Sequence, residues 1–281
     1  MIFFGAAVDL RQPWFEIYRG PGVYSARCSE GMARVAGRGR TAFRCARALW
    51  VLPQRGALVK LTMLAVEAAD DVSMSNGVPF RWLVHHVREG VVALLPKGLD
   101  VDGCSKIQIT CVPGRTQSEQ YWQALGASEY VVEDVDFGRL HALPPRARDT
   151  CLLAVVEDAL VDLAGRNDRG DAVETAIREA CEALRHQDFS LVLPIARLSK
   201  TSPDRAARAR VVRCLNREVA EAWRVEITRK SGAAPDVRWM TERPHYLDMR
   251  DVFARSEWSE GRFVVRNRLG KVTYEFEERV G

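Results

Sequence analysis

Two arginine clusters hold most of the chemistry the sequence offers. The first gathers Arg27, Arg34, Arg38, Arg40, Arg44 and Arg47, opposed by few acids. The second gathers Arg197, Lys200, Arg205, Arg208, Arg210, Arg213 and Arg217. A guanidinium presents a planar fork of donors that matches a phosphate or a carboxylate. Arg208 and Arg210 stand two apart, so on a strand they point to one face. Arrayed this way they could grip phosphates or the carboxylates of an acidic protein; the plain alternative is a charged, solvated sheet face. The tract from Arg238 to Trp258 adds Trp239, His245, Tyr246, Phe253 and Trp258, mixed with charge and lacking clear periodicity. Such a connection between strands either forms a recognition surface or covers a sheet edge. The residues expected to meet a partner are therefore Arg38, Arg40, Arg44, Arg205, Arg208, Arg210, Arg213, Trp239 and Tyr246.

Reaction chemistry is thinly represented. The sequence has no GxSxG, HExxH or Walker loop, and Gly37-Arg38-Gly39-Arg40 lacks the spacing of a phosphate cradle. His85 and His86 are adjacent, so their rings diverge on a strand or a helix and are poorly placed for one metal. His141, His186 and His245 are isolated. Glu157, Asp158, Asp162, Glu179 and Glu182 could form acid pairs, but a solvated helix face explains them, and no histidine joins them at di-metal spacing. The seven cysteines are odd in number and form no CxxC, which predicts buried free thiols in a reducing compartment and no zinc site. No cofactor is implied.

Length and composition set the frame for these groups. The chain has 281 residues, is 47% hydrophobic and carries a formal net charge of +4. That supports one large or two ordinary domains with a real core, and it falls short of the basic surplus of a nucleic-acid coat. The excess of arginine over lysine fits phosphate recognition, and a GC-rich genome would produce it too. Ile2 to Val8 reads as a first strand rather than a signal peptide. No apolar run reaches membrane-spanning length, so a cytoplasmic location away from membranes is expected.

The elements that must position these residues centre on Asp149 to Leu184. Leu152, Val155, Val156, Ala159, Leu160 and Leu163 make one helical stripe; Val173, Ile177, Ala180, Cys181 and Leu184 make a second. Asp149 is placed as the first cap, Gly165 as the stop, and Asp171 with Glu174 as a capping box. Before this hairpin the chain reads as short strands cut by turns. Leu58–Glu67 reads as a central strand, and Lys106–Val112 alternates. Phe80–Leu95 suits a helix or two strands. Thr116 and Glu119 suggest a capping box opening a short helix through Leu125. Glu133–Arg148, with Pro144 and Pro145 as breakers, reads as a connector. Afterwards Phe189–Ile195 alternates, with Pro194 arguing for an edge. Trp223, Val225 and Ile227 alternate with charge, and a final hairpin turns at Leu269-Gly270.

The expected fold class is α+β: an antiparallel β-rich N-terminal section, and a central helical hairpin packed on a C-terminal antiparallel sheet. The expected division is 1–135 and 145–281, or one domain spanning both. The expected function is non-catalytic binding of a macromolecule, as by an inhibitor, an immunity-type protein or an assembly subunit. The alternative is an RNA- or DNA-binding protein, up to a nucleic-acid-processing enzyme, using both arginine clusters. A hydrolase would require a pocket in which His85, His86 or His245 meets a carboxylate or a cysteine.

Overall fold

The computed structural model describes residues 59–69, 79–116 and 119–276. Arg38, Arg40 and Arg44 therefore lie outside the described residues. The protein is α+β, as the sequence predicts. Its first sheet contains β1 (Met63–Ala68), β2 (Lys106–Cys111), β3 (Tyr121–Ala124) and β4 (Ala127–Val132) in the order β1-β2-β4-β3. Among the described residues antiparallel pairing here is confined to β3–β4, since β1, β2 and β4 run parallel. The reading of β1 as central also gives way: among the described residues it ends the sheet, and β2 is internal. The segment expected to be a short helix through Leu125 is instead the β3–β4 hairpin. Leu125 and Gly126 both take positive φ, 53° and 75°, as a two-residue type I′ turn requires. Thr116 caps nothing; its N–H and its hydroxyl both donate to Glu133 Oε1.

Phe80–Leu95 resolves as helix, split into α1 (Phe80–Leu83) and α2 (His85–Leu94). After α3 (Phe137–Ala142) come the two long helices, α4 (Pro145–Arg166) and α5 (Asp171–His186). The first starts four residues before Asp149. Pro145 begins it rather than breaking it, because the N–H that proline lacks would have no intrahelical acceptor at the first helical position in any case. Asp149 is consequently inside the helix and buried, not a cap. The Asp171–Glu174 box does not form; no side chain caps α5, and Glu174 pairs with Arg178 instead.

Both stripes enter one core. Leu152, Val156, Leu160 and Leu163 of α4 and Ile177, Cys181 and Leu184 of α5 meet Val87 and Val91 of α2 and Leu64, Ile107 and Ile109 of the first sheet. Val135 and the flanking Phe137 and Leu140 pack against the same core. The α2–α5 crossing is close at Gly90, where a Cβ would stand 2.8 Å from Leu184 Cδ1.

The remaining chain is antiparallel. A five-stranded sheet runs β5 (Leu191–Pro194), β7 (Ala207–Asn216), β8 (Ala220–Arg229) and β9 (Asp236–Trp239), with β6 (Lys200–Thr201) also on β7. Strand β5, carrying Pro194, is at the edge as that proline requires. A three-stranded sheet follows: β10 (Arg255–Ser259), β11 (Arg262–Arg266) and β12 (Val272–Phe276). Trp223, Val225 and Ile227 face inward as expected, but not onto the helices. Their cover is Phe253 with Phe263, Val265 and Phe276 of the small sheet, a sheet-on-sheet core. Leu191 and Leu215 of the five-stranded sheet join the core that holds the helical pair.

Candidate functional site

Strand register assigns the arginines to faces. In an antiparallel pair, residues opposite each other project to the same side. Arg208 stands opposite Thr228, Arg210 opposite Glu226, and Val212 opposite Arg224. Across the next pair Arg224 meets Trp239 and Glu226 meets Val237. Arg208, Arg210, Arg224, Val237 and Trp239 therefore share the outer face, turned away from the aromatic core. Arg208, Arg210 and Val237 are exposed. Trp239 covers Val212, Cys214 and Ala222, and the guanidiniums of Arg224 and Arg243 lie 5.6 and 4.6 Å from its ring centroid. Cation–π attraction holds both there. Glu226 binds Arg210 at 3.3 Å and Arg224 at 2.8 Å.

Three expected contact residues are elsewhere. Arg205 is exposed, but it sits in the turn between β6 and β7 with φ 60°. Tyr246 stacks on Trp82 at 4.6 Å and meets His85 edge-on. Arg213, three residues beyond Arg210, projects to the opposite face and is 5% exposed.

Arg213 is the hub of a buried ion cluster under α2. Its Nη2 donates to Glu89 Oε2 at 2.6 Å and to Glu221 Oε2 at 2.5 Å. Glu221 is fully buried and also accepts from Trp223 Nε1 at 2.8 Å. Arg88 donates to His85 Nδ1 at 3.1 Å, so Nδ1 is the acceptor and Nε2 carries the hydrogen given to Glu221 at 3.0 Å. His86 is 3.3 Å from Asp149, which Arg217 also binds at 2.9 Å. Histidine and carboxylate thus approach each other twice, and His85 and His86 are buried, 1% and 4% exposed, with His86 Nε2 left without a hydrogen-bond partner. The cluster went unrecognised in the sequence, although one signal was there: His85 and Glu89 are four apart, one helical face.

Burial pushes the Glu221 carboxyl up, but the hydrogen bonds from His85 and Arg213 and the Arg213 charge outweigh it and hold it down at about 2. Its folded value lies below the ordinary 4.5. The stability it confers is therefore complete above pH 4.5 and lost as pH falls toward 2. Urea unfolding midpoints should drop steeply through this window, and Glu221→Gln should flatten the drop. An unchanged slope in that variant would show that another group governs acid lability.

Three of the five helix acids are paired: Arg185 binds Glu157 and Glu182, and Arg166 binds Asp162 at 2.5 Å. Among the described residues no cluster of His, Cys, Asp or Glu could hold a metal ion. The described cysteines are free, four of the five buried, and burial pushes Cys104, Cys111 and Cys181 up to about 12, so they are not thiolates. No described helix is long and apolar enough to cross a membrane.

Fold and site together define an α+β chain with a guanidinium-bearing outer sheet face and a buried ion cluster behind it. Compared with protein-family models, curated proteins and solved structures, the chain matches none.

Proposed function

We propose that the chain is a non-catalytic binding protein that docks an acidic partner protein on the outer face of its five-stranded sheet. The carrying observation is the register that gathers Arg208, Arg210, Arg224 and Trp239 on one side. The exposed Val237 and Val192 border this face and offer apolar contact beside the charge. A protein suits the face better than a nucleic acid, because two guanidiniums already occupy the Trp239 ring that a base would stack on.

The test is charge reversal. Arg208→Glu with Arg210→Glu should weaken the complex about tenfold or more, since like charges would then face each other. Melting temperature should barely move, because the Arg210–Glu226 pair is exposed and worth about 1 kcal/mol at most. Tagged wild-type and variant chains, captured from the host with and without nuclease, would be compared by mass spectrometry. Equal capture by both would overturn the assignment. Capture that vanishes with nuclease and falls steeply with salt would favour nucleic acid.

A further inference from the structure

On the opposite face of β7 a cleft of about 380 Å³ opens beside the ion cluster. Its floor is Leu193, Ile195 and Trp223. Arg197, Arg213, Arg250 and Arg268 line it with Asp251, while Glu89, Glu221 and Asp248 bind Arg213 and Arg250 from outside the lining. Leu193 and Trp223 are both register partners of Arg213, so all three project to this side, away from Arg208 and Arg210.

The four guanidiniums are held differently. Arg250 is fixed by Asp248, its Nε donating to both carboxylate oxygens at 2.9 Å. Arg268 reaches Asp251 at 2.7 Å, with both side chains largely in solvent. Arg197 donates only to the backbone carbonyls of Arg250 and Phe253, at 2.9 and 3.1 Å, and no described carboxylate comes within 4 Å of it. Arg213 binds both of its glutamates through Nη2 alone. Its buried Nε has no partner. A buried donor left unmet is costly, and each one calls for a partner such as a water or a bound ion.

We propose that this cleft binds a phosphate monoester of roughly nucleotide size. A lone carboxylate needs one guanidinium fork, whereas Arg197, with no described carboxylate within 4 Å, beside Arg250, Arg268 and the unmet Nε of Arg213 suits a dianion with three acceptor oxygens. The volume falls within the range of small-molecule sites. Leu193 and Ile195 give an organic body apolar contact. The site is separate from the outer docking face and does not depend on it.

Calorimetric titration of the full chain with AMP at low ionic strength tests this. One saturable site is expected, with inorganic phosphate competing more weakly and adenosine not binding. Arg268→Glu should weaken AMP binding about tenfold or more, the loss of one charge-assisted contact and its replacement by repulsion. Its side chain is exposed, so an unchanged melting temperature confirms the fold. The Arg208→Glu, Arg210→Glu chain should bind AMP as wild type does. Absence of AMP binding, full affinity in Arg268→Glu, or loss of affinity in the outer-face variant would each overturn the proposal. Equal affinity for phosphate and AMP would overturn the organic body.

Discussion

Replacing Arg213 with methionine should destabilise the protein by about 3–5 kcal/mol, the range found when one partner of a buried ion pair is removed. Glu89 and Glu221 both reach the same Nη2 atom and are both buried, so the variant leaves two carboxylates side by side with their shared cation gone. Arg88, 3.0 Å from Glu89, compensates in part. Glu221 retains His85 and Trp223, neither of which brings a full charge in the arrangement observed. The pH dependence separates this account from mere loss of packing. Wild type should weaken as pH falls below 4.5, because Glu221 is held ionised at about 2. In the variant the stranded carboxylates repel, so one takes up a proton more readily and acidification should relieve the strain. Urea unfolding across pH 3–7 would show the two stability curves converging toward low pH. Parallel slopes would mean that the ionic account is wrong. Adding Glu221→Gln to the variant should recover part of the loss, since it removes one uncompensated charge.

Trp223→Ala should cost about as much, 3–5 kcal/mol by the usual range for a buried tryptophan. This side chain is fully buried and joins the two sheets. Its ring meets Phe253 edge-on at 5.4 Å, and its indole N–H satisfies Glu221 Oε1. Trp223→Phe divides these roles: it keeps most of the contact with Phe253 but leaves the carboxylate oxygen without that donor. Its loss should be about 1–3 kcal/mol, the cost of a buried group left unsatisfied, plus the volume removed. Guanidinium chloride unfolding of both variants measures the split. If the alanine variant lost less than about 1 kcal/mol, the sheet-on-sheet core could not depend on this residue as the packing implies.

The sheet faces show how much a period of two conveys. Trp223, Val225 and Ile227 alternate with charged residues, and each faces inward as that alternation dictates. The same parity placed Arg208 and Arg210 together outside. It also put Arg213 on the other side, since an odd step along a strand reverses the face. Grouping all three as one exposed cluster overrode a signal the sequence already carried. Amphipathic stripes likewise marked α4 and α5, while their ends were misjudged: Pro145 starts a helix only because its flanking chain leaves the first turn free. Parallel pairing of β1, β2 and β4 left no local trace, because a strand's sequence records its buried face and not its neighbour's direction.

The amino-acid order alone determined which side chains must leave water and which elements carry them. Only the tertiary structure decided what covers each buried face, because the hydrophobic effect has no direction and accepts a helix or a sheet alike. That choice laid the small sheet over Trp223. It also brought His85, Glu89, Arg213 and Glu221 into contact across more than a hundred residues of chain, from 85 to 221, through ion pairs and a hydrogen bond whose partners lie far apart in sequence.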